Sequence, residues 1–442
     1  MAKRHRKNGS GKEHVDRRQP PGEVQNDRKR RSVRTLVAAV LATLVVIAGM
    51  LWWIPGRHIQ HAEQAIGQWR FQKAQQHLAD YPAWGMDRGR VYYLLARVAR
   101  QQDGYALAQE HLRTATSGGF DRQAVQRERD LLDVQNGDLN PALLQKLEIH
   151  LDQAPDDRPA IYEAYALGHA GLGQTSSAID LLDRWIEQFP SDGRPYYWKG
   201  FIDLRSDDED SALTMFTESA RRDHALVESH LGKAQILSNR SQDGAALVAY
   251  QDALESAPER WDIRIQMAET LWRMQRQSDA VRILEPIARS DASVYPAGRR
   301  LAQYYSLQHQ PDDVISTLTP MLKFFPEDAS LNYLLADALT QKSQHDRAGE
   351  AMDRFYRANS VVDTLRYARS EVIRQADPEK LASVASTYRQ FDWVKARDWL
   401  ETATKVLPAN PLLHRQRSEV LRENGFFDAA TREQNIADTQ SL

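Results

Sequence analysis

The stretch Gly168-His-Ala-Gly-Leu-Gly-Gln-Thr175 comes close to phosphate-binding chemistry. Gly168 and Gly173 stand five apart, and Thr175 takes the place of a magnesium-binding hydroxyl. Gln174, however, stands where a phosphate loop needs its lysine. Such a loop also follows a buried strand, whereas residues 159–167, "PAIYEAYAL", read as helix. A bland assignment fits better. Gly173 suits the left-handed conformation that ends a helix, and Thr175 and Ser176 are expected to cap the next one. Two further groups could hold a metal. His58 and His61 form His-x-x-His with no third ligand near them. Residues 206–211, "SDDEDS", lack the spaced oxygen ligands and central glycine of a calcium loop and fall where a turn is needed. The chain has no cysteine, which removes disulfides, thiolate metal sites and thiol catalysis. No metalloprotease helix, nucleophile elbow or dinucleotide glycine pattern occurs. The expectation is a protein with no catalytic residue, no cofactor and no metal.

The elements around these groups are legible from charge and hydropathy. Residues 1–34 hold 12 Lys/Arg against 4 Asp/Glu, while the rest holds 46 against 56. The head is poor in apolar residues and is expected to be a disordered, basic cytoplasmic tail. Its charge serves as a topology signal, and nucleic acid is not the expected partner. Residues 35–54, "TLVAAVLATLVVIAGMLWWI", contain no charge. At about 1.5 Å per residue they span about 30 Å, the thickness of a hydrocarbon core. Arg28, Lys29, Arg30, Arg31 and Arg34 precede the run, Trp52 and Trp53 close it, and Pro55 and Gly56 are expected to break the helix. The positive-inside rule then places 1–34 in the cytoplasm and the remainder outside, in a single-pass inner-membrane protein.

From residue 57 the apolar residues recur at three and four, and a period of 34 appears. Ala166, Gly200, Ala234, Ala268, Ala302 and Ala336 form a column of small residues. Ala178, Ala212, Ala246, Ala280, Val314 and Ala348 form a second. Leu182, Phe216, Tyr250, Leu284, Leu318 and Met352 are all large. Pro190, Pro258 and Pro326 recur at twice the period. Each unit reads as two short antiparallel helices. Small residues let the backbones approach, the large residue fills the gap, and proline stops the second helix. One pair cannot bury its own apolar face, so neighbours must stack. The period slips slightly near a degenerate unit at 123–158, and an insertion interrupts it near "DTLRYARSEVIRQAD". Beyond the insertion Ala396 and Ala430 are again 34 apart, with Phe391 and Trp393 answering Gly425 and Phe427.

The pattern resembles the tetratricopeptide repeat family, above all in residues 159–192 (Tyr162, Tyr165, Ala166, Gly173, Ala178, Leu182, Trp185, Pro190) and 193–226 (Tyr196, Gly200, Ala212, Phe216). Lys199 and Lys233 depart from it. The resemblance implies an all-α fold, a right-handed superhelical solenoid of antiparallel helix pairs preceded by one transmembrane helix. Its expected parts are degenerate units over 57–158, a regular array over 159–362, an irregular helical insertion at 363–390 and repeat-like units over 391–442. It further implies a concave face lined by first helices. Carried over by the 34-residue step, that face contains Tyr197, Phe201, Gln235, Glu269, Arg299, Gln303, Tyr333 and Asp337, with Arg194, Arg205, Asn239, Trp272 and Arg273 close by. Aromatic, amide and guanidinium groups suit a protein or peptide ligand. The expected function is a membrane-anchored scaffold for protein–protein interactions in cell-envelope assembly or secretion, as in bacterial single-pass proteins of this kind. The alternative is a carbohydrate-binding or enzymatic component using the same groove, motivated by Tyr196, Tyr197, Trp198, Phe201 and Trp272.

Overall fold

The computed structural model describes residues 54–423 except 83, 103, 292 and 293, together with 430, 433, 434, 436 and 437. The basic tail, the expected span up to residue 53, and Gly425 and Phe427 lie outside the described residues. No described helix is long and apolar enough to cross a membrane. Pro55 and Gly56, expected in a helix break, instead stand inside helical residues 54–67.

The described chain is helical, with a 3-10 turn at Pro155–Asp157 and no strand. Helix α1 (54–67) is followed by α2 (Phe71–Ala79), and α3 (Arg88–Gln101) by α4 (Tyr105–Ser117). Then come α5 (Arg122–Gln135) with α6 (Pro141–Gln153), and α7 (Arg158–Gly171) with α8 (Thr175–Gln188). The pairs α9 (Arg194–Arg205) with α10 (Glu209–Arg222), and α11 (Val227–Asn239) with α12 (Asp243–Ser256), continue the stack. So do α13 (Trp261–Arg273) with α14 (Gln277–Ser290), and α15 (Tyr295–Leu307) with α16 (Pro311–Met321). The last are α17 (Ala329–Gln341) with α18 (His345–Gln375), α19 (Pro378–Phe391) with α20 (Trp393–Val406), and α21 (Pro411–Glu423). From α2 to α21 each helix packs on the next, as a solenoid requires.

The columns are the packing set. Ala178, Ala212, Ala246 and Ala280 are fully buried, as are Ala234, Ala268, Ala302 and Ala336. Phe216 shows why glycine breaks an alanine column. A Cβ on Gly200 would stand 3.0 Å from its ring, and one on Gly232 of the next unit 2.8 Å. Two missing methyls on two helices make room for one ring. Gly168 serves a similar end, since a Cβ there would lie 2.2 Å from the Val134 carbonyl oxygen. It lets α7 touch the end of α5.

The turn inside each pair also repeats. Gly173, Asp207, Ser241, Gln275, His309 and Ser343, 34 apart, have φ between 55° and 73°. The next amide reaches back to the helix end, as in Gln174 N–H to His169 O at 2.9 Å and Gln242 N–H to Leu237 O at 2.8 Å. This is the Schellman closure of a helix C-terminus. Thr175 and Ser176 do not cap α8; Gln174 is its N-cap residue and makes no side-chain cap bond. Its amide is engaged by His169, whose Nδ1 lies 2.6 Å from Oε1.

The insertion lengthens α18 to 31 residues. Residues 363–375 are its last turns, and 378–390 belong to α19. The α19–α20 hairpin then folds back on the middle of the stack. Trp393 meets Tyr295 edge to face at 5.1 Å and joins the core cluster around Leu301 and Leu335.

Candidate functional site

The groups that first suggested chemistry have structural partners. His61 stacks on His77 at 5.3 Å, with His58 6.5 Å from the same ring. Burial and the neighbouring His61 and His58 lower the His77 pKa. In "SDDEDS", Asp207 takes the left-handed turn and Asp208 caps α10 by accepting from Ser211 N–H at 3.0 Å. Glu209 and Asp210 both pair with Arg240, at 3.1 and 2.7 Å. Among the described residues no three His, Asp or Glu side chains are placed to hold a metal.

Two concave sites are formed by first helices. One is a depression of about 520 Å³ on α13 and α15. Its floor is Trp272 and Tyr304, stacked in parallel with ring centroids 3.8 Å apart. Burial pushes the Tyr304 pKa up to about 12, so the phenol stays neutral. Leu307 and Leu334 extend the apolar surface. Polar walls come from Glu269 paired with Arg300, from Gln303, and from Arg273, which bonds Asp243 at 2.5 Å and Ser238 at 2.6 Å. The carboxylates hold both guanidiniums in place without filling the depression.

The other site lies where the stack curves onto itself. The turn after α1 reaches α9, several units further along the chain, and encloses a cavity of about 240 Å³. Trp69, 7% exposed, sits edge-on to Tyr197 at 5.3 Å and Trp198 at 5.4 Å. Lys73 pairs with Glu259 at 3.2 Å. Burial pushes the Glu259 pKa up, but a hydrogen bond from its own backbone and the Lys73 ammonium together hold it below the ordinary range. Gln101, Gln102 and Gln135 line the far wall. Behind them a buried polar network fills the space between first helices. Arg100 donates to Glu128 at 2.6 Å and to Gln135 at 2.7 Å. Glu163 accepts from Gln101 at 2.6 Å and from Trp198 Nε1 at 3.0 Å.

The expected face is thus divided. Glu269, Trp272, Arg273 and Gln303 meet in the depression, and Tyr197 lines the closure cavity. Phe201 is exposed and packs edge-on to Trp198. Arg194 is held by Asp192 at 2.6 Å and lies over the Trp185 ring. Gln235 and Asn239 bond each other at 2.9 Å, Arg299 bonds Ser330, and Asp337 accepts from Gln341. Tyr333 is half-exposed against Phe355, and Arg205 is exposed. Tyr304, Arg300, Leu307 and Trp69 were not among the expected residues. Trp69 carried a signal: it stands two repeat steps before Gly137 in the left-handed turn series, with φ of 55°, where other units have Gly, Asp, Ser, Gln or His. A bulky side chain there costs about 1–2 kcal/mol, and tertiary contact must offset it.

Helix pairs at a 34-residue step, small-residue columns at their crossings and a left-handed closure in the turns of six successive pairs, α7–α8 to α17–α18, define a tetratricopeptide-type repeat solenoid. No family model matches the chain, and no curated protein matches it. Among solved structures it is similar to YrrB, described as a tetratricopeptide protein with an unusual peptide-binding site, at 16% identity over 39% of this chain and 90% of that one, with a TM-score of 0.35. It is similar to MamA from Desulfovibrio magneticus RS-1, at 18% identity over 37% and 93%, with a TM-score of 0.34. A Naa15/Naa10 complex bound to HypK-THB is similar over 93% of this chain and 64% of that one, at 16% identity and a TM-score of 0.34. These likenesses are loose, and the class rests on the repeat geometry of the chain itself.

Proposed function

We propose that this protein is a membrane-anchored scaffold that captures protein or peptide partners on its concave face. Residues 35–54 span the inner membrane, 1–34 stay in the cytoplasm, and the repeats work outside it in envelope assembly or secretion. The observation that carries the reading is the depression on α13 and α15. A stacked Trp272–Tyr304 floor offers an apolar anchor site, and prealigned Arg273, Arg300 and Gln303 offer hydrogen bonds to a peptide backbone or carboxylate. The uncharged run behind five basic residues supports the anchoring.

Crosslinked affinity capture of the full chain from native membranes tests it. Partners retained by the wild type should be lost from Trp272→Ala while the solenoid stays folded. Capture that ignores Trp272 sinks the proposal. A reporter fused after Leu442 tests the topology, since activity only in the cytoplasm would reverse it. Glycan binding is the second reading, because aromatic rings stack on sugars. Tyr304 already covers one face of the Trp272 indole, which weighs against it. A glycan array showing Trp272-dependent binding would favour it instead.

A further inference from the structure

We infer that the closure cavity on α9 and α13 is a second peptide site, selective for an aromatic residue followed four positions later by a basic one. The chain's own turn, Gln68–Lys73, occupies it as an internal ligand. The inference rests on the groove-binding reading and names what a second part of that groove recognises.

The occupant shows the recognition directly. The Trp69 indole enters between Tyr197 and Trp198 with both contacts edge to face, the arrangement aromatic pairs favour. Lys73, in the first turn of α2, reaches Glu259 just before α13. The left-handed turn at Trp69 and the start of α2 together set the four-residue spacing between anchor and ion pair. The fit is incomplete in two respects. The Trp69 backbone holds φ of 55°, which side-chain-bearing residues rarely adopt. Its Nε1 is buried and finds no acceptor among the described residues. The remaining cavity of about 240 Å³, lined by Gln101, Gln102 and Gln135, leaves room beside the indole for further polar groups. A partner segment that carries the same aromatic–basic pair on relaxed backbone avoids the positive φ and displaces the turn. Because the turn belongs to the first unit, displacement opens the stack at that end.

The test uses the full chain in detergent micelles and a fluorescent peptide spanning residues 64–74. Trp69→Gly removes the indole from the slot between Tyr197 and Trp198 and suits the left-handed turn, so the variant keeps its local fold. Polarisation should show Trp69→Gly binding the peptide at least tenfold more tightly than the wild type. Adding Glu259→Lys should weaken that binding at least threefold, and a peptide with the tryptophan replaced by alanine should not bind. Equal affinity for wild type and Trp69→Gly, or indifference to Glu259→Lys, overturns the inference. Partner capture through Trp272 can survive that failure, which then leaves the scaffold reading intact. Loss of Trp272-dependent capture with peptide binding retained removes the scaffold reading alone.

Discussion

Asp328 makes the stability of the middle of the stack depend on pH in a direction opposite to most carboxylates. It caps α17 by accepting from Leu331 N–H at 2.9 Å and accepts from the Tyr295 hydroxyl at 2.9 Å. Burial raises its pKa from 3.8 to about 6. The two hydrogen bonds and Arg299 pull it down, while Asp392, brought close by the α19–α20 hairpin, pushes it up. The folded state therefore holds the proton more tightly than the unfolded chain. Stability is greatest below pH 3.8 as far as this group decides it, and falls as pH rises to about 6. The gap is worth about 3 kcal/mol in full, of which about 2 kcal/mol falls between pH 4.5 and 7.5.

Asp328→Asn removes the titration and keeps a side chain that can cap α17. A repeat array of this length need not unfold in one step, so amide hydrogen exchange of α15, α17 and α20 is the suitable assay. Wild-type opening free energy there should fall by about 2 kcal/mol relative to Asp328→Asn between pH 4.5 and 7.5. Any fixed cost of the substitution cancels in that comparison. Parallel curves for the two proteins across the range would refute the argument, because the burial and the Asp392 repulsion would then cost nothing.

Phe216→Ala should destabilise α9 to α12 by about 3–5 kcal/mol, read by exchange of those helices, since Gly200 and Gly232 leave nothing to fill the space. Gly168→Ala should cost about 1–3 kcal/mol in thermal or denaturant unfolding, because its Cβ meets backbone rather than a movable side chain. Glu128→Gln leaves Arg100 buried without its carboxylate and should cost about 3–5 kcal/mol, with loss of protection centred on α3 and α5.

The repeat was legible because its determinants are local and recur. Ala178 and Ala212 meet the same crossing in successive units, so one rule is written many times. The left-handed turn was legible at Gly173 for the same reason, although its Thr175 cap was not, since His169 claims the neighbouring Gln174. The closure is written once. Trp69 meets Tyr197 across several repeat units, and no period points to that pair. The return of the α19–α20 hairpin, Trp393 against Tyr295, is likewise a single event. The inserted residues have ordinary helical composition, so the sequence marks their presence but not that they simply prolong α18. In the depression, the lattice found Trp272 and missed Tyr304, because stacking across neighbouring helices joins positions 32 apart rather than 34.

Those single events decide how much of the concave face remains open. Glu163, one 34-residue step before Tyr197, is fully buried and bonded to Gln101 and Trp198. Arg100, Glu128 and Gln135 likewise spend their hydrogen bonds on one another. A charged group so placed cannot leave for a ligand without stranding its partner in a dry interior, a cost of several kcal/mol. The first helices from α3 to α7 are thus committed to holding the curved end together. From α13 onward, arginines paired at the rim flank a partly exposed Trp272 backed by Tyr304. On the proposed topology the committed end is the one beside the membrane, because α1 follows the span directly. The open depression lies on α13 and α15, and the turn after α1 meets the chain just before α13 through the Lys73–Glu259 pair, so on the further inference the Trp69 turn controls whether the near end of the groove joins it.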